Sequence, residues 1–424
     1  MRRVILRLAL LVLALAGSPG CTLINNVVGS EKRDLYKFDR PFTVSDPAFR
    51  RSLDTFGTVM VGGNTAELLK NGDEIFPTMT KAIREARTSV NLETYIFQPD
   101  EAGRQFADAM IEAARRGVEV RLLIDAWGSS LGDLQGPLEK AGVKWKKYRP
   151  LRLFSIYKVG KRTHRKILVV DGNIAFTGGL GISKQWLGNA RNPQEWRDTQ
   201  VRVTGPVVDQ MQSIFAEDWT YTTGEILAGD KFYPRRDANP GSVHAQAIKI
   251  SRGDASSLAK MLYYVAIKSA DKSIHIQNAY FLPDGQVREA LVAAVKRGVD
   301  VKVMVPGRHN DMPMVRQASW HHYGELLEAG VKIYEYRHTM FHNKTMVVDG
   351  IYSTIGSINF DARSMNRNAE ESLSFYDRGF AQKVEEMFDE DLKRCEEITF
   401  QAWEHRGLPK RLSELVFWIW EPYY

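Results

Sequence analysis

Two cysteines in 424 residues, Cys21 and Cys395, are too few for a disulfide framework or a cysteine-ligated metal site. Apolar runs long enough to span a bilayer are also wanting. The N-terminal run, Val4 to Ala16, is too short to cross one comfortably. Neither sign of charge dominates: 58 Lys and Arg against 51 Asp and Glu leave a net charge of +7. That moderate excess favours anionic partners, a phospholipid surface or a nucleic acid, without choosing between them. With 44% hydrophobic residues, the chain can bury one large core or two ordinary ones.

What the chain does have is a repeated pattern. His164-Arg165-Lys166-Ile167-Leu168-Val169-Val170-Asp171 is followed by Gly178-Gly179. His342-Asn343-Lys344-Thr345-Met346-Val347-Val348-Asp349 is followed by Gly356-Ser357. Both copies read H-x-K-x-x-x-x-D, and they lie 342 − 164 = 178 residues apart. One H-x-K arises readily by chance; two full copies with matching downstream glycines do not.

Ile167 to Val170 and Met346 to Val348 are β-branched-rich runs ending at Asp-Gly, which predicts a buried strand closing in a turn. Positions i and i+2 of a strand share a face. Each copy therefore sets an imidazole beside an ammonium, and Asp171 or Asp349 falls at the strand end, facing the other way or in the turn. A neighbouring cation keeps imidazole neutral and attracts a phosphate. A core histidine with a snorkelling lysine would explain either copy alone; the duplication argues against that reading for both.

The surrounding sequence repeats as well. Ser273 to Phe281 matches Ser89 to Phe97, and Arg297 to Val301 matches Arg116 to Val120. Ala329 to Lys332 matches Ala141 to Lys144. Strands are expected at Ser89 to Phe97 and Val118 to Ile124, with a helix from Arg104 to Arg116 between them. Helical spacing is also read over Glu67 to Arg87, broken at Asn71-Gly72 and Pro77. Each half is thus an α/β unit, joined to the other near Gly224 to Ser242. The expected organisation is a targeting segment over 1–21, a spacer with an edge element over 22–64, a first repeat over 65–225, a second over 243–400 and an aromatic tail over 401–424.

Arg2, Arg3 and Arg7 beside the short apolar run have the form of a secretory signal. Three outcomes stay open: a lipoprotein acylated at Cys21, cleavage after Ala14-Leu15-Ala16, or a retained anchor. All three put the body of the chain at or beyond a bacterial cell membrane, on its periplasmic or outer face. Lys144 to Arg162 mixes basic and aromatic residues, which suits an entrance for an anionic head group, a single-stranded nucleic acid contact or a solvated loop. Trp418, Trp420, Tyr423 and Tyr424 suit either an interfacial membrane segment or a tail packed on the body.

Together with Glu93-Thr94-Tyr95-Ile96-Phe97, Trp196-Arg197-Asp198-Thr199 and Gly356-Ser357-Ile358-Asn359, the two motifs resemble those of the phospholipase D superfamily. Within it, the chain is similar to bacterial cardiolipin synthases over about residues 60 to 400. The resemblance implies an α/β fold of two tandem repeats, each a mixed sheet flanked by helices, with the active site at their interface. It implies a phosphatidyltransferase that makes cardiolipin from phosphatidylglycerol or a second phospholipid through a phosphohistidine, with phospholipase D hydrolysis or, less favoured, phosphodiester nuclease activity as alternatives.

Phosphodiester exchange needs a nucleophile on one side and a proton donor on the other, which two facing motifs supply. By resemblance His164 attacks and His342 protonates the leaving alcohol. Lys166, Asp171, Lys344 and Asp349 complete the two catalytic motifs. Lys166, Lys344, Asn359, Ser357 and Gly179 are expected to hold the phosphate oxygens. Asp198, 198 − 164 = 34 residues after the first histidine, and Glu370, 370 − 342 = 28 after the second, stand where the family carries its acidic partners. Glu195 is the alternative to Asp198. The chain departs from the usual pattern at Gly181, where the first copy more often has Asn, which puts one phosphate-side amide in doubt. No Asp/Glu cluster suited to Mg²⁺ flanks either motif, so neither metal nor cofactor is expected. The expected partners are anionic phospholipids such as phosphatidylglycerol and cardiolipin, and a membrane surface, with no nucleic acid.

Overall fold

The computed structural model of the chain describes residues 36–56, 58–150, 161–236, 241–251 and 258–418. The targeting segment with Cys21, residues 151–160 of the basic and aromatic run, and residues 419–424 of the tail lie outside them.

The first half contributes β1 (Val61–Lys70), β2 (Ser89–Thr94), β3 (Glu119–Asp125), β4 (Lys144–Tyr148), β5 (Ile167–Val170), β6 (Ile174–Gly178) and β7 (Thr199–Thr204). The second contributes β8 (Val243–Ile250), β9 (Ser273–Asn278), β10 (Asp300–Pro306), β11 (Lys332–Tyr336), β12 (Lys344–Val348), β13 (Tyr352–Gly356), β14 (Glu370–Tyr376) and β15 (Cys395–Ile398). The order is β1-β7-β6-β5-β2-β3-β4 in one half and β8-β14-β13-β12-β9-β10-β11 in the other, with β15 added at the far edge. The duplication read from sequence is therefore a duplication of topology. In each half the strand bearing the motif runs antiparallel to its two neighbours, while three strands beyond it run parallel. Both sheets are mixed.

The sheets are not separate bodies. β1 and β8 pair antiparallel, which fuses them into one sheet of 15 strands. Asn64 secures this seam. Its amide nitrogen donates to the carbonyls of Val61 and Val243, and its oxygen caps the amide of Val207 at the start of the helix Val207–Thr223. That helix and Leu373, Phe375 and Phe380 of the other half share one apolar core across the junction. Each half has its own core besides, around Phe106 and Leu122 in the first and around Leu262 and Val303 in the second.

Three expectations are corrected here. Residues 36–56, read as spacer, carry the short helix Pro47–Leu53, whose Phe49 and Leu53 are fully buried in the second-half core. The first strand starts at Val61, four residues before Thr65. Glu67 to Arg87 is not one broken helix: residues up to Lys70 are strand, and the helix runs Asn71–Glu85 straight through Pro77. The pairing of β1 with β7 overrides the helical spacing at its start. Pro77 is the seventh residue of this helix, past the first turn, so the bond from position 77 to the carbonyl of Asp73 is forgone.

Candidate active site

His164 and Lys166 lead into β5, and His342 and Lys344 lead into β12. The order of each half brings this end of the motif strand to the carboxyl ends of the parallel strands, where ligand sites of α/β sheets lie. Main-chain bridges then lock one half to the other. The amide of His164 donates to the carbonyl of Ala369 at 2.8 Å, and the amide of Ala369 returns to the carbonyl of Arg162 at 2.8 Å. His342 donates to Arg197 at 2.8 Å, and Arg197 to Met340 at 2.9 Å. Each histidine is thereby paired with the residue that precedes an acid in the opposite half.

The acids are consequently crossed. Glu370 Oε2 lies 2.9 Å from Nδ1 of His164, and Asp198 Oδ2 lies 2.8 Å from Nδ1 of His342. Counting each acid from the histidine of its own half suggested pairing within a half; the sheet junction instead exchanges them. Glu195, the alternative, touches neither ring and accepts from Arg191, Asn192 and the amide of Asn189. A carboxylate on Nδ1 fixes the proton there and leaves the Nε2 lone pair to act.

Both rings are held neutral. Burial, abetted by Lys166 and Lys344 and opposed by Glu370, brings the imidazole of His164 down to about 4. Burial and Lys344 lower His342, against Asp198. The same burial brings Lys344 down to about 7 and lowers Lys166. Burial alone would raise Asp198 and Glu370, yet their histidines and the lysines hold both below the usual carboxylate range. The Nζ of Lys166 donates to the carbonyl of His164, and that of Lys344 to the carbonyl of His342. An ammonium has three donors, so each keeps two for an anion. Two lysines, two neutral imidazoles and two anchored carboxylates in one buried centre can bind a phosphodiester, attack it and move a proton on its far side.

Asp171 and Asp349 fall in the turn that closes each motif strand, one of the two placements expected. The carboxylates of Asp171 and Asp349 sit at the opposite ends of their strands; Asp171 lies 171 − 164 = 7 residues, about 23 Å of extended chain, from its histidine. Asp171 collects the amides of Arg87, Thr88 and Ser89, and Asp349 those of Asp271, Lys272 and Ser273. Both have positive φ, 54°, followed by glycines at 62°, as an Asp-Gly turn demands. Their geometry anchors the motif strand to the start of β2 or β9. The amide of Gly179 is spent on the carbonyl of Thr199, and a Cβ there would meet Asp198 Oδ1 and the carbonyl of His342. Ser357 donates its hydroxyl to Glu370 at 2.5 Å. Both residues therefore serve the acids. Asn359 is buried, its Nδ2 3.4 Å from the Ser364 hydroxyl, which in turn donates to Glu370.

Four aromatic rings complete the centre, and sequence reasoning assigned none of them a contact. Tyr95 lies 5.2 Å from the ring of His164. Trp186, Trp196 and Tyr280 surround His342 at 5.5, 5.7 and 6.2 Å. Tyr95 and Trp196 stand in the very stretches that carried the resemblance, but nothing in the spacing of Trp196 points across the junction to His342.

The duplicated sheet and the two crossed histidine–acid pairs are those of a phospholipase D-like enzyme. A family model described as cardiolipin synthase, PLD-like domain, matches residues 79–219 and 263–392. The chain is 36% identical over 380 residues to the probable cardiolipin synthase YwiE of Bacillus subtilis (strain 168), covering 89% of this chain and 74% of that one. It is 38% identical over 360 residues to a cardiolipin synthase of Geobacillus sp. (strain WCH70), with 84% and 71% covered. It belongs to the cardiolipin synthase family of PLD-like proteins. Among solved structures, the phosphatidylserine synthase of Haemophilus influenzae Rd KW20 superposes with a TM-score of 0.66 at 14% identity, over 88% of this chain and 99% of that one, a likeness of fold.

Proposed function

We propose that the protein transfers a phosphatidyl group from one phospholipid to the hydroxyl of another, making cardiolipin from phosphatidylglycerol. The observation that carries this reading is the crossed pair of neutral imidazoles, each with Nδ1 on a buried carboxylate. His342 takes up a proton on Nε2 when the phosphodiester anion binds beside it. Nε2 of His164 then attacks phosphorus, the bond to the leaving glycerol oxygen breaks, and that oxygen takes the proton from His342. The hydroxyl of a second phosphatidylglycerol then attacks phosphorus, its proton passes to His342, and the phosphorus–nitrogen bond breaks. Lys166 and Lys344 hold the non-bridging oxygens, whose charge grows in the transition state. The giving of the nucleophilic role to His164 rests on family resemblance. The names of the relatives, cardiolipin synthases, support cardiolipin as the product; phosphatidylglycerol as donor and acceptor rests on the family resemblance.

A membrane surface is the proposed site of action. Among the described residues no helix is long and apolar enough to cross a membrane. The helix Leu408–Trp418 instead leaves Leu408, Leu412, Leu415 and Val416 exposed at helical spacing, while Phe417 packs on the cluster of Leu282, Val315 and Ala318, against which Tyr280 also packs. Such a stripe suits an interfacial seat. Placement on the outer face, with Cys21 as lipid anchor, is proposed from the N-terminal sequence.

The test is to incubate the full chain with phosphatidylglycerol vesicles and identify products by mass spectrometry. Cardiolipin and free glycerol are expected. Cleavage of DNA without lipid turnover would overturn the reading.

A further inference from the structure

The two halves differ where their topology is alike. Gly181 and Trp186 correspond to Asn359 and Ser364, since 359 − 181 and 364 − 186 are both 178. In the second half Ser364 donates to Glu370 at 2.8 Å, with Asn359 beside it. In the first half the indole of Trp186 donates to Asp198 at 2.7 Å instead. That indole fills the room of a side chain at 181: its Cη2 and Cζ3 would lie 2.9 Å from a Cβ there. The glycine at 181 and the ring at 186 are therefore coupled in space.

The ring does not stand alone. Trp186 is 1% exposed and packs on Trp196 with ring centres 4.5 Å apart. Both indoles lie against His342. Trp196 also lines an open cleft of about 900 Å³, whose walls mix Asp73, Lys184, Arg191 and Glu195 with apolar Phe76 and Leu187. Open as it is, the cleft admits water to Trp196. Among the described residues His164 has one aromatic neighbour, Tyr95, and its side chain is 12% exposed against 6% for His342.

We propose that Trp186 and Trp196 form a partition that keeps the water of this cleft from His342, and so sets transfer over hydrolysis. The inference rests on the phosphatidyltransferase reading above. Water and alcohol compete for the same step. Either oxygen attacks the phosphorus carried by His164, gives its proton to His342, and the phosphorus–nitrogen bond breaks with its electron pair returning to the imidazole. Water yields phosphatidic acid; the alcohol yields the transferred lipid. Excluding water from the base selects between them without a contact to either lipid.

The experiment measures the ratio of phosphatidic acid to cardiolipin made from phosphatidylglycerol vesicles in ¹⁸O-labelled water, a ratio that does not depend on how much enzyme is folded. Trp196→Ala should raise it by about tenfold. Trp196→Leu, which keeps apolar bulk without the second ring, should raise it less. Gly181→Asn with Trp186→Ser, which rebuilds the second-half arrangement, should raise it too. Active Ala and Leu variants with the wild-type ratio would overturn the proposal, as would folded variants losing both products equally. Absence of lipid turnover by the wild type would instead defeat the functional reading.

Discussion

Nδ1 of His342 and Oδ2 of Asp198 meet at 2.8 Å across the junction of the two halves, although 144 residues separate them in the chain. The mirror contact joins His164 to Glu370, 206 residues apart. Neither half owns a working imidazole. The two-fold dependence explains why the seam is so heavily secured, by β1 on β8, by Asn64, and by Arg197 clamped to Asp391 and to the carbonyl of Asp198.

The crossing predicts which step each acid serves. Asp198→Asn should impair proton transfer by His342, and Glu370→Gln should impair attack by His164. With a lipid donor both variants should slow turnover by about 10²–10⁴-fold. With a nitrophenyl phosphodiester, whose leaving group needs little protonation, Asp198→Asn should keep a burst of nitrophenol while Glu370→Gln loses it. The opposite pattern in stopped-flow measurements would mean pairing within each half or an exchange of roles between the two histidines.

The pH profile follows from two lowered groups. His164 titrates near 4, so its neutral, nucleophilic form is present above that pH. Lys344 titrates near 7, so its cation is present below that pH. The value of kcat/KM should therefore be bell-shaped, rising through about 4 and falling through about 7. His342 is also neutral at rest, and the arriving phosphodiester anion raises its affinity for a proton. Lys344→Arg keeps the cation at all accessible pH and should remove the alkaline limb, whatever it costs in rate. An unmoved limb would mean that another group sets it.

Glu371 makes a stability prediction. Buried under Thr177, Ser357 and the amide of Lys166, its carboxyl is raised from 4.5 to about 7. Between those values the folded chain holds a proton that the unfolded chain releases. Stability is then full below 4.5 and falls as pH rises to 7, by an amount on the order of 3 kcal/mol. Asp361, raised by burial to about 7, adds a second share. Glu371→Gln should flatten part of this slope in thermal unfolding between pH 5 and 7.5, while costing about 1 kcal/mol at low pH through one mismatched hydrogen bond. A slope unchanged from wild type would exclude Glu371 as its source.

Much of this architecture was legible in the chain. Ile167 to Val170 and Met346 to Val348 announce buried strands by composition, and Asp171-Gly172 announces the turn by its chemistry. The shifted but ordered matches between halves carry the topology. What was not legible is whatever depends on the seam. A helical spacing in Glu67 to Lys70 could not reveal that β7 waits to pair with it. Nor could the distances 34 and 28 reveal that Asp198 and Glu370 trade partners, because main-chain bridges at Ala369 and Arg197 decide that. Trp186 was hidden for the same reason: its partner His342 belongs to the other half.

The order of the histidines admits a direct test. The nucleophile carries the covalent phosphate, so acid quenching should label one ring only. The adduct accumulates when its breakdown is slowed more than its formation. His342→Ala removes the acid and base but leaves His164, its Glu370 and Lys166 in place. With a nitrophenyl phosphodiester the variant should form the adduct and stall, releasing about one equivalent of nitrophenol. His164→Ala retains His342 on Asp198 and should release none beyond background. Peptide mass spectrometry of the trapped His342→Ala protein should place the phosphate on His164. A phosphate found on His342 in the wild type would reverse the two roles, and the partition by Trp186 and Trp196 would then screen the nucleophile instead of the base.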